Sequence, residues 1–138
     1  MGMKWEGASC ICVNDGKLLM VLQGTADEEK KWSIPSGGRE RNESIEECGM
    51  REVWEETGYV VKVVKKLHIK EGISQNIQFK VHYFLTDLVS GFSVIQDPDG
   101  LIHDIRWVSL KELETLTLSF PEDRELLQSY LAPSEKII

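Results

Sequence analysis

Residues 37–59 read GGRERNESIEECGMREVWEETGY, and the closing run from Arg51 to Gly58 decides how the chain is read. Ser44, followed three residues later by Glu47, carries the signature of a capping box, in which each side chain accepts the other residue's backbone N–H. Gly58 is the residue type that most readily takes the left-handed conformation at a helix end. The stretch therefore predicts a helix over 45–57. At about 100° per residue, Glu52, Glu55 and Glu56 fall within an arc of about 100° on that helix. Met50, Val53 and Trp54 fall on another side with i, i+3, i+4 spacing, which gives the helix an apolar face to bury.

Three like charges held that close repel one another, and Arg51, at the edge of the arc, is the one cation of the helix near them. A divalent cation resolves the conflict. One or two carboxylates, with waters and substrate phosphates, form the usual octahedral shell of Mg²⁺. The competing reading is a solvated helix face with an ordinary i,i+4 ion pair between Arg51 and Glu55.

The wider pattern bears on that choice. Gly37, then Glu43 after five intervening residues, then Arg51-Glu52-Val53-x-Glu55-Glu56-x-Gly58-Tyr59 after seven more resemble the signature of the Nudix hydrolases, the family related to MutT. Three positions depart from the family pattern: Tyr59 stands where Ile, Leu or Val is usual, Ser36 replaces the first Gly of Pro-Gly-Gly, and Asn42 replaces the Gly before the first Glu. None of them removes a carboxylate. The resemblance implies an α/β (α+β) fold in which a mixed sheet is sandwiched between helices, with the motif forming a loop-helix-loop. It also implies cleavage of the pyrophosphate of a nucleoside diphosphate linked to another group, by attack of water on phosphorus. Glu52, Glu55 and Glu56 match the positions that bind Mg²⁺ or Mn²⁺, and the carbonyl of Ser36 matches a backbone ligand. Glu43 and Arg51 match a supporting pair that fixes the loop against the helix.

The attacking water needs a carboxylate within reach as general base. Glu52 and Glu55 are the candidates on the helix. Downstream, Asp97, Asp99 and Asp104 form the one acidic cluster in suitable context, although Asp-Pro-Asp-Gly is also an ordinary turn sequence. Trp32 either stacks on a base or seals the core, and Gln23 stands where family members often carry a basic residue near the phosphates. The histidines His68, His82 and His103 share no metal-site spacing and read as structural or surface residues. Nucleoside triphosphates, nucleotide sugars and ADP-ribose all fit as substrates. The alternative from another class is a Nudix-fold regulatory module that binds a nucleotide without cleaving it; the complete carboxylate set favours the enzyme.

The rest of the chain sets the frame. With 138 residues, 41% of them hydrophobic and 28% charged, residues 1–138 are expected to form a single domain. A net charge of −7 argues against a nucleic-acid polymer as partner, since backbone binding needs a basic stripe. The expected partner is a small-molecule nucleotide, with the protein a monomer or a homodimer. No apolar stretch of spanning length and no signal sequence is seen, so the expectation is no membrane association and a cytoplasmic location. Three cysteines agree with a reducing compartment, and Cys10 and Cys12 read as core filling.

Along the chain, Asn14-Asp15-Gly16 between apolar runs predicts a hairpin. The sequence predicts loop over 25–31, a turn over 35–38, a strand over 59–69, a turn over 71–76 and a long strand over 77–88. Beyond these come a short strand over 105–108, a helical piece over 110–116, and a helix opened by Pro121 and closed by Pro133.

Overall fold

A computed structural model describes residues 3–132. Strand β1 (Met3–Asn14) turns through Asp15 and Gly16 into β2 (Lys17–Gln23). Both turn residues have positive φ, 51° and 73°, as a tight two-residue hairpin turn requires. Two short strands follow, β3 (Lys31–Ser33) and β4 (Ser36–Gly38), then helix α1 (Ile45–Thr57). Strands β5 (Tyr59–Ser74) and β6 (Ile77–Gly91) form a long antiparallel pair. The chain continues through β7 (Ile102–Val108), α2 (Leu110–Leu113) and a 3₁₀ turn (Pro121–Asp123), and ends its described part with α3 (Arg124–Leu131).

The seven strands form one mixed sheet in the order β3-β2-β1-β6-β5, with β4 added to β1 and β7 to β2. The pair β1/β6 is parallel from Met3↔Ile77 to Cys12↔Thr86. On its other edge β1 meets β2 only at Val13 and Asn14, while β4 takes Gly7 to Ser9. Between these two pairings the carbonyl of Pro35 accepts the N–H of Cys10 at 3.0 Å. That crossing carries Ser36–Gly38 to the side of α1.

Alternation along β1 supplies two cores, since successive side chains of a strand point to opposite faces. Ala8, Cys10 and Cys12 pack with Cys48 and Val53 of α1 and with Phe84, whereas Ile11 packs with Leu113, Leu127 and Leu131 of α2 and α3. The sheet is thus covered by helices on both faces, the layered arrangement expected from the motif. The three cysteines are free and buried. Burial pushes the Cys48 thiol up to about 12 and that of Cys10 higher still, so they are inert core side chains.

Several local expectations are corrected. Residues 36–38, expected to turn, pair with β1 as a strand, and Lys31, placed at the end of a loop, opens β3 with Trp32 and Ser33. The turn between β5 and β6 contracts to Gln75 and Asn76, both with positive φ, which leaves Glu71–Ser74 in the strand. Strand β7 starts three residues earlier than expected, at Ile102, and α2 ends at Leu113. Pro121 opens a 3₁₀ turn that leads into α3, and Pro133 lies outside the described residues. Trp54, assigned to the apolar face of α1, is 46% exposed.

Candidate active site

Helix α1 has the limits its sequence predicts. The hydroxyl of Ser44 accepts the Glu47 N–H at 3.0 Å and the Glu47 carboxylate accepts the Ser44 N–H at 2.8 Å. At the other end Gly58 has φ 81° and donates its N–H to Trp54 O. Two more of the terminal carbonyls, which a helix leaves without internal partners, are taken by the segment after β6. Val94 N–H donates to Thr57 O at 2.8 Å and Gln96 N–H to Glu55 O at 3.0 Å. That segment passes so close that a Cβ at Gly58 would stand 2.8 Å from Val94 N, a second reason for glycine there.

The carboxylates differ sharply in surroundings. Glu56 is 7% exposed, and one of its oxygens accepts the N–H of Ser36 at 3.3 Å. Burial, with Glu52 as the next contributor, holds its carboxyl well above the ordinary range. The carboxylate of Glu52 lies against Gly37, in space that any side chain at residue 37 would occupy. Gly37 has no positive φ, so glycine is there for room.

Arg51 fans across the cluster. Its Nε and Nη2 donate to the two oxygens of Glu43 at 2.9 and 2.8 Å, Nη2 also donates to Gly38 O at 2.9 Å, and Nη1 donates to Glu55 at 3.0 Å and Glu52 at 3.2 Å. Glu40 adds a further contact to Nη1 at 3.2 Å. One guanidinium therefore ties the loop to the helix through Glu43 and Gly38 while touching two of the three clustered carboxylates.

The guanidinium favours the charged form of both Glu43 and Glu52, yet their carboxyls shift in opposite directions, although the side chains are similarly exposed, 15% and 14%. The bidentate bond from Arg51 holds Glu43 below the ordinary carboxylate range. Glu52 is pushed up to about 7, because its desolvation beneath the loop and the charges of Glu55 and Asp97 outweigh Arg51. Carboxylates raised in this way are those whose burial has not been matched by a partner.

Asp97 is the loop acid nearest in effect, since its charge raises both Glu52 and Glu56. Its oxygens are already engaged by the backbone N–H groups of Asp99, Leu101 and Ile102, so it holds its own turn together. Asp104 accepts the N–H of Ile105 and stands 3.7 Å from Arg106. Trp32 is 8% exposed and packs in the core with Arg106 over its ring at 4.7 Å, so of its two readings it seals the core. The amide of Gln23 donates to Ser33 Oγ. His68 stacks on Tyr83, while His82 meets Glu6 and His103 meets Gly24 O, as structural side chains do.

Asn42, one of the three departures, has φ 68°. It therefore does the backbone work of the glycine it replaces, in a conformation that Asn tolerates better than other residues with a side chain. What the sequence did not show was the strap of residues 92–96 over the end of α1, and the packing of Glu52 on Gly37. The strap has no local signal. The packing had one, a glycine needed where no turn requires it.

The donor set suits a hard divalent cation: carboxylate oxygens raised by burial first and by one another's charge second, beside the backbone of Ser36 and Gly37. Among the described residues no three His, Cys, Asp or Glu side chains converge on one point. Glu52 and Glu55 are drawn instead to Arg51, and Glu56 to Ser36 N–H.

A family model described as the NUDIX domain matches residues 3–130. The phosphatase NudJ of Escherichia coli strain K12 is 27% identical over 123 residues, covering 88% of this chain and 80% of that protein. Among solved structures, a NUDIX hydrolase from Nitrosomonas europaea has a TM-score of 0.80 at 23% identity, over 92% of this chain and 88% of its own. A MutT NUDIX hydrolase from Burkholderia pseudomallei has a TM-score of 0.76 at 21% identity, over 94% of this chain and 99% of its own. At these identities the structural likeness shows the fold.

Proposed function

The chain belongs to the NUDIX domain family and is a pyrophosphohydrolase, and from that premise we propose that it requires Mg²⁺ or Mn²⁺ and cleaves a nucleoside diphosphate linked to another group. The observation that carries the reading is the burial of Glu56 and the raised carboxyl of Glu52 beside the Ser36–Gly37 backbone. Burying two neighbouring carboxylates with only a shared guanidinium at 3.2 Å and a backbone N–H at 3.3 Å in return destabilises a fold. It is explained if they are ligands.

In this reading Glu52, Glu55 and Glu56, with the carbonyl of Ser36, hold the metal. Bound there, a divalent cation supplies Lewis-acid neutralisation of the phosphates and makes a water more acidic. Glu43 and Arg51 hold the loop, through Gly38, at a fixed distance from the helix, so that Ser36 and Glu56 stay in register. The general base is a helix carboxylate, Glu52 or Glu55, because Asp97 is occupied with backbone donors in its own turn. Residues 1–138 act as one domain on a small nucleotide in the cytoplasm. No helix among the described residues is long and apolar enough to cross a membrane.

A panel of nucleoside triphosphates, nucleotide sugars and ADP-ribose, each with Mg²⁺ or Mn²⁺ and scored by the nucleotide released, tests the reading. Turnover of at least one is expected. Tight binding of a nucleotide with no turnover of any would move the protein to the silent-module class.

A further inference from the structure

The Nη1 nitrogen of Arg51 carries two N–H groups and has three carboxylates around it. Glu55 and Glu52 accept its hydrogen bonds at 3.0 and 3.2 Å. Glu40 stands at 3.2 Å as an ion pair, and it is the partner left over. Its side chain is 64% exposed, against 22% for Glu55 and 14% for Glu52. An exposed pair of this kind contributes little to stability by itself. Its place is nevertheless built. The backbone N–H of Glu40 donates to Glu43 Oε1 at 2.8 Å, and the same oxygen accepts Arg51 Nη2 at 2.8 Å. One carboxylate oxygen thus fixes the Glu40 backbone beside the guanidinium.

We propose that Glu40 is a positioning residue that takes over Nη1 of Arg51 when a divalent cation draws Glu52 and Glu55 away from it. The inference rests on the metal-dependent reading of the site. A cation and Nη1 compete for the same two carboxylates, and the two positive groups repel each other as well. The guanidinium cannot follow the carboxylates. Its Nε and Nη2 stay bonded to Glu43 and to Gly38 O, neither of which belongs to the clustered set. Nη1 then loses both acceptors at a side chain that is 23% exposed, and a charged donor left without a partner there is costly. Glu40 offsets that cost, because it is already within reach and has solvent room in which to close. Arg51 keeps its charge matched while its partners change, and the loop stays tied to the helix. Arginine suits the task, since its fork of donors serves separate acceptors at once.

The test follows Arg51 and the metal together in the wild type, Glu40→Gln, Arg51→Lys and the double variant. Chelator-treated, isotope-labelled protein is titrated with Mg²⁺ in the cold, where guanidinium N–H resonances are resolved, and those of Arg51 are assigned by through-bond correlation to its backbone. Mg²⁺ is expected to shift the Nη1 resonances and to leave Nε nearly in place. In Glu40→Gln the Nη1 resonances are expected to broaden at saturating Mg²⁺, as a group without an acceptor rotates. The Kd for Mg²⁺ is expected to rise about threefold in that variant, within the range for one exposed ion pair. In the Arg51→Lys background, Glu40→Gln is expected to leave Kd unchanged. If the charge of Glu40 acts on the metal through space alone, Kd rises equally in both backgrounds, and that result overturns the proposal. So do Nη1 resonances unmoved by saturating Mg²⁺, or an unchanged Kd in Glu40→Gln. If Arg51→Lys does not fold, the spectra of the wild type and Glu40→Gln decide. Failure of Mg²⁺ to bind the wild type sinks the metal reading and the handover with it, whereas Mg²⁺-dependent hydrolysis with unmoved Nη1 sinks the handover alone.

Discussion

Glu56 concentrates the tension between stability and function at a single residue. Its carboxyl is buried and raised, with one long hydrogen bond from Ser36 N–H in return. Glu56→Gln keeps the shape and removes the charge. Turnover is expected to fall at least about a hundredfold, as for loss of a charged group acting in the transition state, while the metal-free protein melts at the same temperature or higher because the desolvation cost is gone. Steady-state rates with thermal melts check this, and a destabilised, fully active variant would show that Glu56 is structural. Gly37 makes the complementary case. Alanine there has an allowed backbone but displaces the Glu52 carboxylate. Gly37→Ala is expected to lower kcat at least about tenfold while the far-ultraviolet circular dichroism spectrum is unchanged; wild-type kcat would mean that the position of Glu52 does not matter.

The elements were legible where a local signal existed. Ser44, Glu47 and Gly58 fixed α1 at both ends, and Asp15-Gly16 fixed the first hairpin, because caps and tight turns are chemistry of neighbouring residues. Strands β3 and β4 were missed, since three residues carry no periodicity and their pairing partners lie far away in sequence. The loop at Asp97 was legible as a turn, and its place near Glu52 and Glu56 only as a candidate beside the helix carboxylates, because the strap over α1 that brings it there has no local signal. Asp97→Asn is expected to cost about 1 kcal/mol through weakened backbone bonds and to lower kcat less than Glu52→Gln or Glu55→Gln does. A loop variant as inactive as the helix variants would shift the general base to Asp97. Helix α1 also sets a pH dependence. The folded Glu52 carboxyl is raised from 4.5 to about 7, so the native state binds more protons than the unfolded state between those values. Its stabilising contribution is full below 4.5 and is lost as pH rises through 7. Relative to Glu52→Gln, the metal-free wild type is expected to be more resistant to urea at pH 5 than at pH 8; a difference of the opposite sign would mean that Arg51 prevails over burial.

For the whole molecule, the sheet positions the site by bringing together parts of the chain that are remote in sequence. The crossing of Pro35 over Cys10 sets Ser36–Gly38 beside α1, and the strap from β6 closes the other end of that helix. The sequence motif announced the carboxylates and the Glu43–Arg51 contact, because their spacing lies within one loop and helix. It could not announce that Trp5 and Phe79 lie side by side, which follows only from the parallel pairing of β1 with β6. The central claim is that the buried carboxylates exist to hold a divalent cation. Titrating Mg²⁺ into chelator-treated protein, with hydrolysis of the best panel substrate and the melting temperature both recorded, tests it most directly. The account predicts folded, inactive protein without metal. It predicts turnover that appears with Mg²⁺ in step with a rise in melting temperature, and neither response in Glu56→Gln. Full turnover in excess chelator would contradict it.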